Sequence, residues 1–83
     1  MRYEIRYIKP LTRPNGEVEG GDDEWYADAA TKSKAFAIAK RGSKEKGVYE
    51  TTVHEYANGR GEDFTGHWYF EKGKLTWDMG GNN

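Results

Sequence analysis

Aliphatic side chains are scarce in this sequence, and their scarcity decides what a core could be made of. Three Ile, three Val and two Leu are spread over 83 residues. With the three Phe they make 11 of 83, about 13%, below the roughly 20% under which disorder becomes a serious alternative. Two features oppose disorder. The formal net charge is only −1, and twelve residues are Phe, Tyr or Trp. Aromatic side chains bury large areas each, so a folded domain with a core of Tyr and Trp is expected. A chain of this length makes one domain, read as residues 1–79 with a flexible tail over 80–83. It buries only about 60–65% of the surface its unfolded form exposes.

Periodicity supplies the elements. From Arg2 to Lys9 the chain alternates, with Tyr3, Ile5 and Tyr7 on one face and Arg2, Glu4 and Arg6 on the other. That is a half-buried strand, ended by Pro10. A turn-rich stretch with Asn15-Gly16 and Gly20-Gly21 follows, read as a long hairpin loop or one with a short extension around Val18. Glu24 to Ala29 reads as a short second strand. Thr31 is an N-cap candidate, with Asp28 one turn earlier. From there to a stop at Gly47 the pattern is helical. Ala35, Ile38, Ala39 and Gly42 fall within about a 100° arc, with Phe36 beside them. Val48 to Tyr56 is a third strand. Asn58 to Gly61 is a loop, and a final hairpin turns at Glu71 to Lys74 with Gly73 in the left-handed region. Phe64, Trp68 and Phe70 are assigned one face of it, as are Leu75, Trp77 and Met79.

The order β-β-α-β-β-β gives an α+β fold, one helix on a mostly antiparallel sheet. The inner face is expected to hold Tyr3, Ile5, Tyr7, Val53, Trp68, Phe70, Leu75 and Trp77 against Ala35, Ile38 and Ala39.

Charge is sorted along the middle of the chain. Gly21 to Ala30 carries four acids and no base, and Thr31 to Gly47 carries six bases and one acid. Acids before a helix and bases within it complement the macrodipole. Lys34, Lys40, Arg41 and Lys44 project away from the apolar stripe, where a solvated face is the ordinary outcome. A binding patch is the alternative, either those four or the acidic Asp22, Asp23 and Glu24. From Glu17 to Asp28 there are six acids and no bases, more than a cap requires.

Little supports chemistry. The absence of cysteine excludes disulfides, thiolate metal sites and cysteine nucleophiles. His54 and His67 lack the spacing and third ligand of a zinc site, so no metal or cofactor is expected. No phosphate loop or nucleophile elbow is present, and Glu62-Asp63 beside Arg60 reads as a solvated pair. An enzyme is not expected. Neither a signal peptide nor a membrane span is expected, and the location expected is cytoplasmic.

Aromatics remain the stronger clue, because one sheet face cannot hide all twelve. Alternation places Tyr56 and Tyr69, with Tyr26 as a third candidate, on the face away from the helix beside His54, His67 and Thr65. Such a face suits a protein interface or base stacking. The plainer account is that tyrosine favours strands.

The segment from Glu24 to Met79 resembles two groups of small proteins. "ATKSKAFAIAKRGSKEKG" followed by "TTVHEYANGRGE" is similar to a set of bacterial and phage domains with a hairpin, one helix and further strands. The element order, with Trp77 near the end of the last hairpin, also resembles phage anti-CRISPR inhibitors of type I surveillance complexes. That resemblance implies a non-enzymatic inhibitor that binds the multisubunit effector in the bacterial host and blocks its target DNA. In the similar inhibitor, positive residues of the helix touch the complex. Here Phe36, Ala37 and Ile38 stand at that place and the charge lies at Lys40, Arg41 and Lys44, so the mode carries over and no individual residue does. The alternatives are a nucleic-acid-binding module using the basic helix face, and a homodimer pairing through its first or last strand.

Overall fold

A computed structural model describes residues 1–57 and 64–80. The alternating N-terminal run forms β1 (Arg2–Thr12), which turns back into β2 (Val18–Ala29). A helix, α1 (Lys32–Gly42), crosses to β3 (Glu50–Tyr56), and the chain closes with β4 (Gly66–Glu71) and β5 (Lys74–Asp78). All neighbouring strands are antiparallel, in the order β2-β1-β3-β4-β5. The fold is therefore α+β, with α1 over β1 and β3 and its flanks on β2 and β4.

The register lines up the core in rows across the sheet. Ala27, Ile5, Val53 and Trp68 are successive partners in one row, and Tyr7, Thr51 and Phe70 in the next. Tyr3, Ile5, Val53, Trp68 and Phe70 are buried against Ala35 and Ala39, with Phe36 and Ile38 packed beside them. Phe36 meets Trp68 and Phe70 edge-on, each at 5.1 Å between ring centroids, a favoured aromatic geometry. Gly42 lets α1 approach β2, since a Cβ there would lie 3.1 Å from the Tyr26 ring.

Both helix ends are tied down by side chains. The Thr31 hydroxyl accepts from the Lys34 N–H at 3.2 Å, so Thr31 and not Asp28 is the N-cap. The helix stops at Gly42 rather than Gly47 because its last carbonyls find other donors. The buried Thr51 hydroxyl donates to the Ala39 carbonyl at 2.7 Å, and the Ser43 hydroxyl donates to Lys40 at 2.8 Å. Gly47, at φ 86°, serves the turn that follows.

Several strand expectations are corrected. β1 runs on through Pro10, which sits at a register irregularity where a missing N–H is tolerated. β2 is twelve residues long, so the turn between them shrinks to Arg13–Glu17, closed by Glu17 accepting from the Arg13 N–H and with Gly16 at φ 89°. The first strand is interior, and the sheet edges are β2 and β5. On β5, Leu75 pairs with Phe70 but Trp77 pairs with Tyr69, leaving Thr76 as a bulge. One inserted residue reverses the alternation, so Trp77 leaves the helix face and Leu75 stays on it half-exposed. Phe64 precedes β4 and stacks on His54 on the opposite face. The loop read over Asn58 to Gly61 and the pair Glu62-Asp63 lie outside the described residues, as do positions 81–83 of the tail.

Candidate functional site: the helix-free sheet face

The sheet face away from α1 is uncovered among the described residues, and the same register organises it. One row crosses all five strands: Trp25, Arg6, Thr52, Tyr69 and Trp77. At about 4.8 Å between strands its ends stand roughly 19 Å apart. Both ends are aromatic and open to solvent, Trp25 at 57% and Trp77 at 50% exposure. The next row holds Asp28, Glu4, His54 and His67.

Rings connect the rows. Phe64 lies flat on His54 at 4.5 Å between centroids and 5° between planes. His67 meets His54 edge-on at 6.1 Å and stacks on Tyr69 at 5.5 Å. Tyr56 meets His54 edge-on at 6.5 Å and is covered by the Arg2 guanidinium at 4.7 Å. Tyr56 and Tyr69 thus lie on the expected face, although Tyr56 is buried beneath Arg2. Tyr26 does not. As the bulged residue between Trp25 and Ala27 it turns to the helix side and donates to Glu45 at 2.6 Å.

Burial, then His67 nearby, push the His54 imidazole below its usual range. Burial, then Glu71, push the Glu50 carboxyl up. The arginines of the face are engaged. Arg6 contacts Asp23 at 3.0 Å and Glu4 at 3.5 Å, and Arg2 approaches Asp28 at 3.9 Å. The face is an aromatic band between acids and committed guanidinium groups.

The acidic excess now has a structural account. β2 lies beside β1, and the cations of β1 and of the turn after it face its acids: Arg2 with Asp28, Arg6 with Asp23, Lys9 with Glu24, and Arg13 of the turn with Glu19. Opposite charges across antiparallel strands stabilise pairing. Asp22, Asp23 and Glu24 do not form one patch. Asp23 joins the open face, whereas Glu24 bonds Lys9 and accepts from the Tyr7 hydroxyl on the helix side. Those bonds, Lys9 first, hold the Glu24 carboxyl below its ordinary range.

The basic residues are also divided. Lys40 lines a cleft beside β5, and the Lys44 side chain lies over Gly73. Arg41 acts on the Tyr26 phenol at the opposite flank, and Lys34 is exposed near the N-cap. Sequence reasoning missed Trp25 and misplaced Phe64 and Trp77. Nothing in their spacing marks a bulge, and an unshifted hairpin counted from Thr12 and Val18 would have put Glu24 and not Trp25 opposite Arg6.

Among the described residues no three His, Cys, Asp or Glu gather as a metal site, and no helix is long and apolar enough to cross a membrane. No protein-family model matches the chain, and no curated protein or solved structure matches it either.

Proposed function

We propose that this chain is a small binding protein that acts by occupying a surface of a larger protein assembly, with the helix-free face as the contact. The observation that carries the reading is the five-strand row ending in exposed Trp25 and Trp77, linked to the Phe64–His54–His67–Tyr69 ring cluster. Tryptophan, tyrosine and arginine dominate the energetics of protein interfaces, and contiguous exposed aromatic surface on a small domain marks a contact site. The buried Nε of Arg2 has no hydrogen-bond partner, in keeping with a face whose polar groups are completed on binding.

Charge placement favours a protein over nucleic acid. Single-strand platforms set stacking rings beside cations that track the phosphates. Here the rings share their face with paired arginines and several acids, while Lys34, Lys40, Arg41 and Lys44 stand on the helix. Within this class, the resemblance to anti-CRISPR inhibitors suggests a type I effector complex as the assembly and occlusion of target DNA as the effect.

The test is to mix the protein with a type I surveillance complex and measure comigration and target-DNA binding. Comigration with loss of DNA binding is expected, both reversed by Trp25→Ala with Phe64→Ala and Tyr69→Ala. Neither comigration nor lost DNA binding would remove the inhibitor reading. Comigration abolished by Lys34→Ala with Arg41→Ala, and retained by the aromatic variant, would move the contact off this face.

A further inference from the structure

On the helix side, α1 and the edge strand β5 leave between them a cleft of about 560 Å³. Its floor is apolar, made by Phe36, Ala37, Phe70 and Leu75, and its rim carries Lys40 and Lys74. Among the described residues no carboxylate lines it. Lys44 reaches over Gly73 at one end and Lys72 projects from the same turn. Ser43 fixes this end by accepting from the Gly73 N–H at 2.8 Å, which joins the helix terminus to the β4–β5 turn. The cleft is held from both sides.

We infer that this cleft takes an extended acidic peptide bearing a large apolar side chain, added to β5 as a sixth strand. Three features converge on that occupant. The outer side of β5 has no strand partner among the described residues, so its backbone groups are open to main-chain pairing, the source of affinity in strand addition. Alternate residues of an added strand point to opposite faces, which sets one side chain beside Leu75 and its neighbours beside Trp77. The rim is basic, so acids of the added strand on the Leu75 side meet Lys40 and those on the Trp77 side meet Lys74. The opposite edge differs: β2 carries Glu19, Asp22, Asp23, Glu24 and Asp28 and no base, so it offers an acidic strand no cation of its own. This contact goes beyond the open-face one and shares only Trp77 with it.

The probe is a fluorescein-labelled peptide of alternating glutamate and threonine with a central leucine, followed by anisotropy at low salt and by amide chemical shifts. Saturable binding is expected, with shifts concentrated in β5 and from Phe36 to Lys40. Methylating alternate peptide amides, replacing its leucine by serine, exchanging its glutamates for lysines, or introducing Lys40→Glu with Lys74→Glu should each weaken binding at least about tenfold. Trp25→Ala with Phe64→Ala should leave it unchanged, whatever the fate of the open-face reading. Binding indifferent to amide methylation or to the two lysine reversals overturns the inference. So does tighter binding of oligothymidylate or phosphatidylserine vesicles at the same residues.

Discussion

The three tryptophans show how far position outweighs residue type. Trp68 is 1% exposed, edge-on to Phe36 and capped by the Lys32 ammonium at 4.8 Å, whereas Trp25 stands in solvent. Trp68→Ala should cost about 3–5 kcal/mol, and Trp25→Ala no more than about 0.5 kcal/mol, compared by urea unfolding. A comparable loss for Trp25 would mean that it packs as core. His54 gives a pH signature of defined sign. Its folded pKa lies below the 6.5 of a free imidazole, chiefly through burial. Below pH 6.5 the unfolded chain therefore takes up a proton that the folded chain resists, so the contribution is complete above 6.5 and lost on acidification. The groups around it are His67, Glu4, Arg6 and Asp23. Stability measured from pH 7.5 downward should fall below about 6.5, and His54→Gln should flatten that slope. An unchanged slope in the variant would assign the effect elsewhere.

At the scale of elements, the helix is short and its ends carry disproportionate weight. Thr51 is buried, and its hydroxyl is a second donor to the Ala39 carbonyl, beside the Ser43 N–H at 2.9 Å. Thr51→Val keeps the shape and leaves that carbonyl with the Ser43 N–H alone, at a cost of about 0.5–1.5 kcal/mol. Thr31→Ala removes the N-cap and should cost about 1 kcal/mol. Ser33→Ala on the exposed face is the neutral control, and equal midpoints for all three in urea would refute this account of the termini. These contacts also mark the limit of what was legible in the chain. Thr31, the Ala35–Ala39–Gly42 stripe and the Gly73 turn follow from local chemistry and could be read directly. The helix stop could not, because Thr51 lies twelve residues beyond Ala39. Trp77 and Tyr26 were misassigned for one shared reason: each strand carries a bulge that shifts parity, and parity is the only signal a strand pattern offers. The row from Trp25 to Trp77 was invisible without the pairing of β1 with β3.

For the whole molecule, the unequal covering of the sheet implies unequal stability. The helix buries the rows around Ile5, Val53 and Trp68, where three or more strands meet. Pairing of β1 with β3 ends at Ile8 and Glu50, reinforced by the Tyr49 N–H donating to Ile8 at 2.8 Å. Past that point β1 and β2 pair only with each other, as an arm from Lys9 to Gly20. An isolated two-stranded hairpin is marginal in water, and this one exposes Leu11 and Val18. Its own ion pair, Arg13 with Glu19, and the Lys9–Glu24 pair at its base are open to solvent and add little anchoring. The charges sorted along the sequence therefore set which strand lies beside β1, more than how firmly the arm is held. Amide hydrogen exchange separates the two regions, since local opening energies run from near zero to that of global unfolding. Hydrogen-bonded amides of the arm should exchange faster than those of β3 by on the order of a hundredfold. Raising salt to about 1 M, where the screening length falls to ~3 Å, should widen the gap only slightly. Arm amides as slow as that of Val53 would show that the hairpin folds as one unit with the core, and would require a contact beyond the sheet to hold it.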